Sequence, residues 1–430
     1  MKPEFPVNLR IDGSLRSYAK TIGASSALSV VALACAWGVL RAGSRGLGIL
    51  SAALLVAIAV GAAVIASAGT IVVARRRRGV RKERDLFLEL NQSRDPHAVR
   101  LGAATAGRAS LRRWWARRLL KHDLLVGDCV EVKSWPEIRA TLDQQGCLDH
   151  LPFMPEMLAM CGRRAVVFRC MHRLFDYRKS RRMRHMDGAV LLTGATCDGA
   201  RHGGCEAGCH AIWKATWLRK VEWRSDAEGA AKAIGQSSPL EDIQVLQPGT
   251  QGPRYACQLT ALHAASHPLE DAGALDVMRP LVSGNVAPAA FVVGWLTHLF
   301  NEVQHLRHGV AFPAFETAVV PTGARTGEAA LAAGDPVVVR SSAEIRSTLD
   351  DRFMHRGLWF EPDMLKHCGR RLVVEANVSK LIDVVTGEMR PMKTPAFRLQ
   401  DAHFSGERQL FNAQYEPLLW RSAWLRRDDE

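Results

Sequence analysis

The chain has 430 residues, ten of them cysteine, an apolar fraction of 47% and a formal net charge of +14 at pH 7. So few cysteines for that length exclude a disulfide-built scaffold. The apolar content supports two or three domains with real cores, and the positive charge asks for an anionic surface or partner.

Two uncharged apolar runs come first, at 21–40 and 47–74. Each is long enough to cross about 30 Å of hydrocarbon, and small residues in both favour close helix packing. The short link at 41–46 predicts a transmembrane hairpin over 21–74, after a tail at 1–20. The second run is too long for the apolar region of a cleaved signal peptide. Arg75, Arg76, Arg77, Arg78, Arg81 and Lys82 follow it, and Lys2, Arg10, Arg16 and Lys20 precede the first run. The positive-inside rule then places both termini in the cytoplasm, on a bacterial inner membrane. Cysteines there stay reduced, so metal ligation gains over disulfides.

A basic juxtamembrane segment is expected at 75–122. Its end, RASLRRWWARRLLKH, reads as a helix. Leu111, Trp114, Trp115 and Leu119 could lie on an anionic lipid surface, or the tryptophans could pack on the soluble part. The net charge thus has a membrane explanation before it needs nucleic acid.

Self-similarity organises the remainder. Gly127 aligns with Gly334, an offset of 207. The same offset matches Glu137-Ile138-Arg139 to Glu344-Ile345-Arg346, Cys161-Gly162-Arg163-Arg164 to Cys368-Gly369-Arg370-Arg371, and Trp213 and Trp217 to Trp420 and Trp424. The chain therefore divides into a cysteine-bearing module at 123–224, a connecting helical segment at 225–326 and a second module at 327–430. The fold class is α+β: the hairpin followed by two repeated small modules, with SH3-like barrels carrying helical insertions as the expected form.

Within the first module, GDCVEV alternates as a strand after a turn. Trp135–Asp143 reads as a helix with Ser134 and Glu137 forming a capping box. Pro155–Met160 is a short helix stopped by Gly162. Ala165–Arg169 and Ala189–Thr193 read as strands, and Ala207–Lys220 as a closing helix. The connecting segment predicts a helix over 289–306.

The chemistry concentrates in CDGARHGGCEAGC, residues 197–209. Cys205 and Cys209 are four apart, which on a helix start would put both sulfurs on one face and favour thiolates. Gly199, Gly203 and Gly204 would let Cys197 approach. In the second copy Phe404, Asn412 and Glu416 replace the three cysteines, so a module does not need them for packing. Cys161 has a counterpart in Cys368 and reads as a packed cysteine, with a liganding role left open. His202, His210, His172, Cys170 and Cys257 compete for the fourth position. Zinc wants four closed ligands, whereas an iron–sulfur cluster takes thiolates alone; the spacing selects neither. Three reduced cysteines in a glycine-rich loop remain the bland alternative.

Arg173, Arg178, Lys179, Arg181, Arg182 and Arg184 form a basic run with only Tyr177 as an interleaved aromatic, which disfavours nucleic acid as a partner. Walker A, Rossmann and HExxH motifs are missing from the sequence.

LPFMPEML before CGRR, then CDGARHGGCEAGC and WKATWL, with YACQLT, SGNV and FNEVQ later and VSKLIDVVTGEMRPMK in the second module, resembles an uncharacterised bacterial family of cysteine-motif proteins. The resemblance runs from Gly127 to the C-terminus, without the hairpin. It implies a link to envelope-polysaccharide genes, and it raises Cys257, which matches a family cysteine. This chain departs from the pattern at Phe175, Phe404 and Asn412, where the family has cysteines. Two functions are expected. One is a membrane-anchored, cytoplasm-facing protein with a cysteine-ligated metal or iron–sulfur centre, serving redox or biosynthetic steps in envelope-polysaccharide metabolism. The other is a non-catalytic structural-zinc scaffold for a partner protein or anionic lipid. The metal candidates are Cys197, Cys205, Cys209, Cys257, His202, His172 and Cys161.

Overall fold

The computed structural model describes residues 106–176, 179–180, 182–221, 254–269, 274–312, 330–404, 406 and 411–428. Among them, no helix is long and apolar enough to cross a membrane. This corrects the expected architecture of a transmembrane hairpin leading two modules; residues 21–74 lie outside the described residues. The long apolar helix that is described, Pro288–Leu306, is interrupted by Thr297, His298, Asn301, Glu302 and Gln304, and polar groups at that density are costly in hydrocarbon.

Two compact units divide the chain, one of Glu89–Pro288, Ala329–Val337 and Arg371–Glu430, the other of Met1–Leu88, Ala289–Glu328 and Val338–Arg370.

In the first unit, helix α1 (Ala106–Leu120) leads in. Arg113 grips Asp128 with both guanidinium nitrogens at 2.9 and 3.0 Å, and Ala116 and Leu120 pack inward with Leu125. Trp114 stays 53% exposed. Strand β1 (Cys129–Val132) follows, then helix α2 (Trp135–Arg139). Glu137 accepts both the N–H and the hydroxyl of Ser134, at 3.0 and 2.7 Å, which satisfies the helix start. The small hairpin β2 (Cys147–Leu148) and β3 (Leu151–Pro152) leads to a 3-10 turn at Pro155–Met160.

Strands β4 (Arg164–Cys170), β7 (Ala189–Thr196), β8 (His210–Lys214) and β9 (Leu218–Lys220) complete a five-stranded sheet in the order β8-β7-β4-β1-β9. Neighbours run antiparallel, and the last strand returns beside the first. Between β4 and β7, β5 (Arg173–Phe175) and β6 (Met183–His185) project as a hairpin, joined at its edge by β10 (His267–Pro268). The core gathers under this sheet, with Phe153 edge-on to Trp213 and Trp217 at 5.9 and 5.2 Å. The Trp217 indole donates to Thr141 at 3.0 Å, so a buried polar atom is satisfied.

The expected closing helix at 207–220 is a strand, a 3-10 turn and a strand. His210–Lys214 is buried at four of five positions and pairs with β7 along its length, so pairing and burial in the sheet set its conformation.

A second sheet has the order β16-β15-β14-β11-β17, from β11 (Pro336–Val339), β14 (Arg371–Ile382), β15 (Met389–His403), β16 (Pro417–Trp420) and β17 (Leu425–Arg427). It repeats the first sheet strand for strand, with β14 and β15 running on where the first copy breaks into the β5–β6 hairpin. Val167 N–H donates to Asp128 as Val374 N–H donates to Asp335, both at 2.9 Å. Trp420 and Trp424 are fully buried, like Trp213 and Trp217.

In the first unit also, α3 (Gln258–Ala261) and α4 (Arg279–Ser283) come from the connecting segment. The other unit holds α5 (Pro288–Leu306), closed by Asn301, which donates to and accepts from Phe312 at 2.7 and 2.8 Å. It also holds α6 (Ser342–Thr348), whose start is capped by Ser341 and Glu344, the small hairpin β12 (Met354–His355) and β13 (Leu358–Trp359), and a 3-10 turn at Pro362–His367.

Candidate metal centre

The cysteine loop connects β7 to β8, where Thr196 still faces His210. Its ends are tied by Cys197 N–H donating to the Cys209 carbonyl at 2.7 Å. Gly199 has φ +69, and a Cβ there would lie 1.8 Å from the Cys205 carbonyl oxygen, so the turn admits only glycine. Gly204 N–H then closes on Gly199 at 2.9 Å. The second copy builds the same turn without cysteines: Phe404 N–H donates to Glu416 at 2.9 Å, and a Cβ on Gly406 would lie 2.1 Å from the Asn412 carbonyl oxygen.

Three donor groups meet beneath the loop. Oxygen of Glu156, sulfur of Cys197 and nitrogen of His202 all lie within 4.8 Å of one another, a group that could hold a metal ion. His202 Nδ1 is 3.7 Å from Cys197 Sγ and 3.8 Å from Glu156 Oε1. Gly199 N–H donates to Cys197 Sγ at 3.3 Å. His202 is 4% exposed; its Nε2 and Glu156 Oε2 are buried without a hydrogen-bond partner. Such orphaned atoms cost free energy unless something satisfies them.

The group opens on a cavity of about 190 Å³. Cys205, Cys209 and Cys257 line it with Cys197, as do Glu416 and His210. Burial, with Glu156 beside it, pushes the Cys197 thiol up from its ordinary value. Burial raises Cys209 as well, reinforced by Glu416 and the neighbouring thiols, and it raises Cys257. For Cys209 this is the reverse of the expected thiolate-favouring helix start, and residues 205–209 form no helix. Burial pushes the Glu416 carboxyl up to about 7 and the His210 imidazole down to about 4. All nine described cysteines are free thiols.

The other candidates lie elsewhere. His172 is buried with Nδ1 2.8 Å from the Cys170 carbonyl and 3.3 Å from the Asn285 amide, and it does not line the cavity. Cys170 is buried with its sulfur toward the Leu124 carbonyl. Cys161 ends the 3-10 turn, packs against the core, and has its thiol pushed up to about 11 by burial. Cys368 ends the matching turn of the second copy.

Two acids escaped the sequence reading. Glu156 lies inside LPFMPEML, so the motif contained the signal although the motif reading gave it no role. Glu416 stands at the position matching Cys209, and its loop reaches the cavity from the second copy. A neutral residue, Gln258, escaped the sequence reading too: its amide accepts from Ile212 N–H at 2.7 Å and donates to Pro152 and Ile212 carbonyls at 3.0 and 2.8 Å, docking α3 and with it Cys257. A smaller cavity of about 30 Å³ shares Leu259, Val384 and Glu416 with the first and holds His263, whose Nδ1 lies 2.6 Å from Asp176.

No family model matches the chain, and neither a curated protein nor a solved structure does.

Proposed function

We propose that the protein holds a single metal ion of the zinc class on Glu156, Cys197 and His202, open to the adjoining cavity. One observation carries this: oxygen, sulfur and nitrogen donors converge within 4.8 Å, and two of the side chains keep an orphaned buried atom. A mixed O, N and S set suits a borderline-soft ion such as zinc better than an iron–sulfur cluster, which favours thiolates. Three protein ligands with a cavity beside them match the catalytic kind of site, where the fourth position serves water or substrate. When bound, the ion supplies Lewis acidity. Cys197 would ligate as thiolate, its proton displaced despite the burial that otherwise favours the thiol. The tie to envelope-polysaccharide metabolism rests on the resemblance alone. A purely structural zinc scaffold is the less favoured reading, because such a site would be closed by four ligands.

A second reading has its own support. Four thiols, Cys197, Cys205, Cys209 and Cys257, face one cavity, an arrangement suited to an iron–sulfur cluster.

Anaerobic purification of the full chain with metal and sulfide analysis and a visible spectrum separates the readings. The expected result is one zinc per chain, no colour, and loss of the metal in Cys197→Ser and His202→Ala. Iron with matching sulfide and broad absorption would move the assignment to the cluster. A metal-free protein that also refuses added zinc or cobalt would overturn both.

A further inference from the structure

The cysteine loop is fastened to a strand outside its own sheet. The Glu206 carboxylate accepts N–H bonds from Ser379 and Lys380 of β14 at 2.5 and 3.2 Å, and the Ser379 hydroxyl at 3.0 Å. Glu206 N–H donates back to the Lys380 carbonyl at 3.1 Å. Lys380 Nζ donates to the Gly203 carbonyl at 3.0 Å, and Ile382 N–H to Cys205 Sγ at 3.4 Å. The loop is thus held on both sides of Cys205. Hydrogen bonds to a carboxylate are the stronger kind.

The repeat separates what is architecture here from what is not. At the offset of 207, Glu206 corresponds to Ala413 and Lys380 to Arg173. Ala413 N–H donates to the Arg173 carbonyl at 2.7 Å, so the two copies exchange the same backbone bond. The carboxylate clamp has no counterpart, because alanine stands where Glu206 would be. The matching loop of the second copy is fastened differently, through Gln414, whose amide oxygen accepts the Phe175 N–H at 2.9 Å.

We infer that Glu206 is a positioning residue for the metal centre, locking the 197–209 loop onto β14 so that metal binding and docking of the β14–β15 hairpin reinforce each other. This rests on the metal reading of Glu156, Cys197 and His202. A closed loop presents Cys197 and His202 together, and an open loop separates them from Glu156, which sits on the Pro155–Met160 turn. Coupling of this kind is reciprocal: the metal must stabilise the clamp by as much as the clamp stabilises metal binding.

The test uses the full chain, zinc and a competing chelator. Glu206→Ala should weaken zinc binding about 10- to 100-fold, the range for residues that orient ligands. Ser379→Ala, which removes one bond and leaves the carboxylate, should weaken it about threefold to tenfold. Hydrogen exchange should slow at 379–382 when zinc is added to the parent protein, and not in Cys197→Ser. Circular dichroism guards against unfolding of Glu206→Ala, and Ser379→Ala carries the test if that variant does not fold. Parent-like zinc affinity in the folded variants, or exchange at 379–382 that ignores zinc, would overturn the inference while leaving the metal centre standing. A parent protein that binds no zinc would remove the metal reading itself.

Discussion

At Cys197, Cys209 and Cys257, burial holds the thiols protonated, so thiolates form there only against a cation. Metal binding must then release protons, and zinc affinity should fall as pH is lowered; titration with a chelator at pH 8 and pH 6 measures this. Cys161 differs, since its sulfur packs against the core away from the cavity. Cys161→Ser should keep its zinc while losing about 1 kcal/mol of stability to a buried hydroxyl, by urea unfolding with metal analysis. Zinc loss as complete as in Cys197→Ser would make Cys161 a ligand. His122 offers a pH test remote from the centre. Burial pushes its imidazole down to about 4, and the ring accepts the Leu124 N–H at 3.2 Å. Between that value and the unfolded value of about 6.5, the unfolded chain binds more protons, so stability is present above the window and lost as pH falls through it. The contribution is on the order of 3 kcal/mol. His122→Asn keeps an acceptor without the titration and should flatten urea stability between pH 6.5 and 4.

At the scale of elements, caps and turns recur at matching positions. Ser134 with Glu137 and Ser341 with Glu344 start equivalent helices. Ser341→Ala should cost about 1 kcal/mol, read from the shift in denaturation midpoint. Gly199→Ala would force a methyl into the Cys205 carbonyl, so zinc binding should be lost while far-ultraviolet circular dichroism keeps the sheet signal. Unchanged zinc affinity in that variant would mean that the turn does not shape the site. The Ser134–Glu137 capping box, the Pro155–Met160 turn and the strands β1, β4 and β7 were legible because each depends on local bonding and alternation. The 207–220 segment was misread because the partner that makes His210–Lys214 a strand is β7, across a long loop.

Across the whole molecule, the connecting segment is tied to the β5–β6 hairpin by buried charge. Asp276 lies between Arg173 at 3.3 Å and Arg279 at 2.5 Å, each of the three under a tenth exposed. Asp276→Asn would leave two guanidiniums without that anion and should cost about 3 kcal/mol by urea unfolding; a loss under 1 kcal/mol would show that Asp187, 3.4 Å from Arg279, suffices. The two-copy organisation could be read from the chain alone, because equal cores and turns demand the same residues at the same spacing, 207 apart. The cysteine loop was legible for a similar reason: its glycines and thiols lie within thirteen residues. The placement of Glu156, Glu416 and Glu206, and of His172 away from the cavity, comes only from the tertiary structure. Those residues come together, or stay apart, through strand pairing and loop exchange between segments as far apart as Glu206 and Ser379, and no local pattern records which distant backbone will supply the missing partner.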